Sequence, residues 1–140
     1  MIEIYTDGSC LSNPNGPGGW AFCFIEKDGF VLCNSGNDKS TTNNRMELKA
    51  IIESLKFITN FSCEYTIFTD SQLCINCATG KWKRNKNLDL WKEYDDQIKN
   101  KNIKFQWVKG HNGNKYNELV DKIAYDEAKK NIKKYLLKLK

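Results

Sequence analysis

Ile2-Glu3-Ile4-Tyr5-Thr6-Asp7-Gly8-Ser9 has a counterpart in Tyr65-Thr66-Ile67-Phe68-Thr69-Asp70-Ser71-Gln72. In each, a run rich in β-branched and aromatic residues reads as a strand that stops at Thr-Asp and a turn former. If the two strands lie parallel and side by side, their ends bring Asp7 and Asp70 together. Two carboxylates held that close repel each other unless a cation lies between them. The pair therefore points to a divalent-metal site at one edge of a sheet.

Working outward, Leu11 to Gly19 holds both prolines, two asparagines and three glycines, and reads as a loop. Trp20 to Glu26 is a second strand, and Lys27-Asp28-Gly29 turns it into a third at 30–36. A helix is expected from about Asn43 to Thr59, with Leu48, Ile51, Ile52, Leu55 and Ile58 on one apolar face. Residues 64–69 form a fourth strand, and Ser71 to Thr79 a short helix. Leu88, Trp91, Tyr94 and Ile98 mark another helix, Ile103 to Val108 a fifth strand, and Asn117 to Lys129 a last helix. The order βββαβααβα predicts an α/β fold: a five-stranded mixed sheet flanked by helices. Ligands of such sheets sit beyond the carboxyl ends of parallel strands, where Asp7 and Asp70 are.

A chain of 140 residues, 40% hydrophobic and 28% charged, suits one domain with a real core. The longest apolar stretch, Trp20 to Ile25, is far too short to span a membrane, and no signal segment precedes the first strand. A cytoplasmic protein is expected, with a nuclear one left open. The six cysteines, at 10, 23, 33, 63, 74 and 77, lack the spacing of a disulfide scaffold and are expected to act as small buried hydrophobes. Cys74-Ile-Asn-Cys77 has no second pair or nearby histidine to complete a zinc site. The net charge of +5 is unevenly spread. Lys81, Lys83, Arg84 and Lys86 form one basic cluster, and Lys129, Lys130, Lys133, Lys134, Lys138 and Lys140 another; the 12 other basic residues face 17 acids. An acidic body with basic appendages fits a metal site that meets a polyanion, although charge runs alone more often mark solvated surface.

Two more acids stand at the core boundary. Glu47 lies in the first turns of the long helix, on the border of its apolar face. Asp121 lies beside Val120, one turn before Ala124. Singly, each of the four acids reads as a turn residue, a cap or a surface charge; in combination they suggest a ligand set. His111 is the single histidine. Its glycine-flanked loop leaves the carboxyl end of the fifth strand, where an imidazole can carry protons at neutral pH.

The segments TDGSCLSNP (6–14), TTNNRMEL (41–48), FTDSQ (68–72) and WVKGHNGNKYNELVDKIA (107–124) together resemble the type 1 ribonuclease H family. The match runs in order through almost all of residues 1–128. The resemblance implies a ribonuclease H-like fold and an endoribonuclease that cleaves the RNA strand of RNA–DNA hybrids. It implies two Mg²⁺ ions, with Mn²⁺ as a substitute, and products with 5′-phosphate and 3′-hydroxyl ends. The family's metal-holding acids fall on Asp7, Glu47, Asp70 and Asp121, with Asp7 bridging both ions; oxygen ligands of this kind suit Mg²⁺. His111 falls on the family histidine that assists proton transfer or product departure. Contacts to the 2′-hydroxyl, which distinguishes RNA from DNA, fall on Cys10, Asn13, Asn43, Asn44 and Gln72. Thr42 and Asn87 match a pocket for a DNA-strand phosphate, and Asn117 a polar residue beside the site. Cap and turn roles remain open for these neutral residues.

The catalytic domain is expected to be 1–128, with 129–140 a lysine-rich C-terminal tail or helix extension for which the resemblance gives no role. Ser12 stands where a glycine is usual, and Asn15 is one extra residue. Many members carry a basic helical protrusion between the positions of Trp82 and Trp91; here only a stub, Lys81-Trp82-Lys83-Arg84-Asn85-Lys86, remains. Hybrid binding is therefore expected to be weaker and strongly salt-sensitive, unless the tail compensates. The expected partner is an RNA–DNA hybrid, with no membrane, and the chain is expected to be a monomer. A DNA-processing nuclease of the same superfamily is disfavoured by the Asn-Asn and Ser-Gln motifs. A binding module without catalysis is disfavoured by the full set of acids and histidine.

Overall fold

The structure is a computed structural model and describes residues 2–132. Strands β1 (Ile2–Cys10), β2 (Gly16–Ile25) and β3 (Val31–Thr41) are followed by helix α1 (Asn43–Lys56), strand β4 (Glu64–Thr69), helices α2 (Gln72–Ala78) and α3 (Leu88–Ile98), strand β5 (Asn102–Trp107) and helix α4 (Lys115–Lys129). The element order is the one the sequence predicts. The sheet runs β3-β2-β1-β4-β5, with β1 antiparallel to β2 and parallel to β4. Residues 133–140, most of the lysine-rich tail, lie outside the described residues.

The first three strands are longer than their composition suggests. The ladder between β1 and β2 carries on through Asp7↔Ala21 and Ser9↔Gly19 to Cys10↔Gly18, so only residues 11–15 remain as a loop. Pro17 is accommodated where the β2–β3 register shifts between Gly16 and Gly18, a place that tolerates a missing donor. Gly19 has a packing reason: a Cβ there would lie 2.2 Å from the carbonyl oxygen of Ala124. The absent side chain lets α4 settle directly on the sheet.

Alternation along β1 divides the core. Ile4, with Phe22 and Ile67, faces α1 (Leu48, Ile51, Ile52, Leu55) and the apolar residues of α2 and α3 (Cys74, Cys77, Leu90, Trp91, Tyr94). Tyr5, with Ala21, Cys23 and Ile25, faces Val120 and Ala124 of α4. The helices thus cover both faces of the sheet. None among the described residues is long and apolar enough to cross a membrane.

Cys74 and Cys77 are buried free thiols, as expected, and burial pushes the Cys74 thiol up to about 11. Cys23 and Cys33 depart from that expectation: they form a disulfide joining β2 to β3. The cause is register. The hairpin turns about Asp28, which places residues 23 and 33 opposite each other with Cα atoms 4.0 Å apart. Equal distance from the Asp-Gly turn was the available signal.

Candidate active site

The β1–β4 register pairs Tyr5 with Phe68, so two residues further along each strand reach Asp7 and Asp70. Asp7 is 2% exposed, and its Oδ1 accepts a hydrogen bond from the Gly8 amide at 2.8 Å. Glu47 arrives from above. Thr42 caps α1, its Oγ1 accepting from the Arg45 amide at 3.2 Å, and this starts the helix across the end of β1. The crossing is so close that a Cβ on Gly8 would lie 2.3 Å from the Glu47 amide nitrogen. Carboxylate oxygens of Asp7, Glu47 and Asp70 all lie within 4.8 Å of one another.

Asp121, from α4, stands at the rim of this trio and close enough to interact with both Asp7 and Asp70. His111 Nδ1 lies 3.9 Å from Asp121 Oδ2, and the imidazole is largely exposed. The residue adopts a left-handed φ of 55° on the loop after β5.

The electrostatics have one dominant cause. Burial pushes the Asp7 carboxyl up to about 7, with the Asp70 charge adding to the shift. Glu47 is raised well above its ordinary value by burial and then by Asp7, and Asp70 is raised by burial and then by Asp121. Glu47 keeps some accessible surface, yet its Oε2 atom is enclosed with no hydrogen-bond partner. The groove is lined by Ser9, Asn43, Asn44 and Ser71 besides these acids and His111, and no lysine or arginine lines it among the described residues. Crowded carboxylates, an orphaned enclosed oxygen and no cationic side chain make a donor set that a hard divalent cation fits.

The neutral residues are distributed less simply. Asn43 and Asn44 line the groove, and exposed Gln72 opens α2 beside it. The Cys10 thiol turns away, toward the carbonyls of Thr41 (3.3 Å) and Gly16 (3.5 Å). Asn13 accepts from the Asn43 amide at 3.0 Å and ties the 11–15 loop to α1. Asn117 is 2% exposed with its Oδ1 unpartnered, inside the first turns of α4. Sequence reasoning missed Arg45. Its backbone is held by Thr42, while its guanidinium donates to Asn87 Oδ1 at 3.2 Å and forks onto Asp89, connecting the two residues of the expected phosphate pocket.

The basic stub also changes meaning. Arg84 stacks over Trp91 (4.3 Å) and Tyr94 (5.6 Å), donates to the Cys77 carbonyl and pairs with Asp95. Lys81, Lys83 and Lys86 remain exposed. Behind them an apolar cavity of about 210 Å³, floored by Leu48, Cys74, Cys77 and Trp91, meets the groove at Asn44.

Comparison with known proteins agrees with this geometry. The family model described as RNase H matches residues 1–129. Ribonuclease HI of Campylobacter jejuni (strain ATCC 700819 / NCTC 11168) is 48% identical over 142 residues, covering 92% of each chain. Ribonuclease H of Caldanaerobacter subterraneus subsp. tengcongensis is 44% identical over 147 residues, covering 95% of this chain and 94% of its own. Among solved structures, LC11-RNase H1 in complex with an RNA/DNA hybrid superposes with a TM-score of 0.75 at 25% identity, over 91% of this chain and 99% of that one. The N-terminal RNase H domain of a Mycobacterium tuberculosis protein shares the fold, with a TM-score of 0.83 at 24% identity over 95% and 96% of the two chains. With the acids gathered at the ends of β1 and β4 and a family match spanning nearly its full length, the chain belongs to the RNase H family.

Proposed function

We propose that this chain is an endoribonuclease that hydrolyses the RNA strand of RNA–DNA hybrids by two-metal-ion catalysis. The reading rests on one observation above the others: the convergence of Asp7, Glu47 and Asp70 at the ends of two parallel strands. Asp7, Glu47, Asp70 and Asp121 would hold two Mg²⁺ ions, with Mn²⁺ as a substitute. When bound, the metal supplies an activated water and stabilises the departing oxygen of an in-line displacement that leaves 5′-phosphate and 3′-hydroxyl ends.

The protein's own residues do the rest. Asp7, the most buried acid among the described residues, has a carboxylate oxygen within 4.8 Å of those of Glu47 and Asp70 and is fixed by the Gly8 amide, so it would serve as the shared ligand. His111, exposed beside Asp121 at the rim, would assist proton transfer or product departure. Asn43, Asn44 and Gln72 offer neutral donors and acceptors to the 2′-hydroxyl, as does the main chain around Cys10 and Asn13. Thr42 and Asn87, joined through Arg45, receive a phosphate of the DNA strand. Asn117 supports the site from within α4.

Residues 1–128 form the catalytic domain in this reading. The protein acts as a monomer in the cytoplasm.

Strand-labelled hybrid, double-stranded RNA and duplex DNA, each incubated with Mg²⁺, Mn²⁺ or chelator, test the proposal. Cutting confined to the hybrid's RNA strand and abolished by chelator is expected. Intact hybrid RNA, or cutting that survives chelation, rejects it.

A further inference from the structure

Trp107 ends β5 opposite Thr69, and the β4–β5 ladder runs one bond beyond the strands, from the Val108 amide to the Thr69 carbonyl at 3.0 Å. The next carbonyl belongs to Asp70, past the end of β4. A side chain takes it: the Trp107 indole Nε1–H donates to Asp70 O at 3.2 Å. Three residues on, the same loop returns to Asp70 from another side. A Cβ on Gly110 would lie 2.7 Å from Asp70 Oδ2 and 3.5 Å from its Cγ. Gly110 does not have a positive φ, so what a side chain there would disturb is not the backbone but the tip of the Asp70 carboxylate. His111 follows immediately.

We propose that Trp107 is a positioning residue for the metal site. Its indole N–H fixes the Asp70 main chain while Gly110 abuts the Asp70 carboxylate, so Asp70 and the His111 loop are set as one unit. The inference rests on the reading of Asp70 as a metal ligand. Trp107 is 42% exposed, so its ring is only partly packed and its N–H is the specific contact it makes with Asp70. Its donor, rather than its bulk, does the positioning. A carboxylate at a strand end has no ladder on its far side. Without the indole bond, the Asp70 peptide can rotate and carry the ligand oxygen away from Asp7 and Glu47.

Trp107→Phe keeps a ring and deletes the donor; Gly110→Ala keeps the donor and places a methyl against Asp70 Oδ2. Mn²⁺ binding is titrated calorimetrically without nucleic acid, at a temperature where circular dichroism shows each variant fully folded. Hybrid cleavage is followed in parallel against Mg²⁺ concentration. Losing one hydrogen bond at this level predicts roughly a three- to tenfold weaker Mn²⁺ affinity in Trp107→Phe. The half-saturating Mg²⁺ concentration should rise by a similar factor, with KM for the hybrid unchanged. Gly110→Ala should shift both in the same direction by at least as much. Wild-type Mn²⁺ affinity in both variants overturns the proposal, as does a Trp107→Phe defect confined to KM. If the wild-type protein binds Mn²⁺ yet leaves the hybrid intact, the proposed activity fails instead, and calorimetry still decides the role of Trp107.

Discussion

Asp7→Asn should disarm the enzyme and stabilise the metal-free protein. The Asp7 carboxyl is 2% exposed and is pushed up to about 7, against an ordinary 3.8, chiefly by burial. Where the side chain is charged in both states, that gap corresponds to about 4 kcal/mol of destabilisation of the folded chain. Asparagine has nearly the same shape and no charge. With part of the gain lost to imperfect amide pairing, about 2–4 kcal/mol should remain, or about 6–12 °C in the thermal midpoint for a chain of this length. The sign depends on pH. Below about 4 the wild-type carboxyl is protonated folded and unfolded, so the variant gains nothing there. The folded pKa is the raised one, so wild-type stability falls as pH rises from about 4 to about 7, and the advantage of Asp7→Asn grows over that window and then levels. Thermal denaturation in chelator at pH 4 and pH 8, beside hybrid cleavage in Mg²⁺, makes the measurement. Saturating Mg²⁺ should narrow or reverse the gap at pH 8, because only the wild type regains binding free energy. A variant no more stable than wild type at pH 8 in chelator, or equally advantaged at pH 4, refutes the burial argument.

Gly8→Ala forces a methyl to within 2.3 Å of the Glu47 amide. It should cost about 1–3 kcal/mol by overpacking and lower cleavage by displacing Glu47, read from urea denaturation and a hybrid assay. Glu127 accepts from Ser35 Oγ (2.6 Å) and Asn37 Nδ2 (3.0 Å), clamping α4 to β3. Glu127→Ala strands both donors and should cost about 1–3 kcal/mol, measured by urea denaturation. Lys83→Ala should weaken hybrid binding and flatten the slope of log affinity against log salt by about one unit if the lysine meets a phosphate. Arg84→Ala should leave that slope alone while lowering the thermal midpoint, because its guanidinium is committed to Trp91, Tyr94 and Asp95. Arg45→Met should change stability by less than about 1 kcal/mol, since its partner Asp89 is exposed; hybrid affinity should still fall as Asn87 loses its hold.

Element order was legible because each helix carries its own apolar period and each strand its own β-branched run. Placement of Asp7 and Asp70 followed from one assumption, that β1 and β4 pair in parallel, and the register bears it out. Strand ends were harder. The Gly16–Gly19 segment looks like a loop by composition, but the ladder from β1 and the close approach of α4 hold it in the sheet. Arg84 read as part of a basic cluster and Arg45 went unread because their partners, Asp95 near one end of α3 and Asp89 at the other, lie on an element whose packing angle no local pattern reveals. The Cys10 thiol turns instead to the carbonyls of Gly16 and Thr41, a long-range partnership that no local pattern reveals. The disulfide needed hairpin arithmetic rather than composition.

β1 is the middle strand of five, paired on both edges and covered on both faces. Such a strand opens only when the whole domain does, whereas β3, an edge strand among the described residues, can fray at its ends while the Cys23–Cys33 disulfide and Glu127 hold its middle. The most buried acid is therefore mounted on the slowest-exchanging part of the chain. Partial opening at the β3 margin should leave Asp7 aligned, so amide exchange there should run far ahead of any loss of turnover.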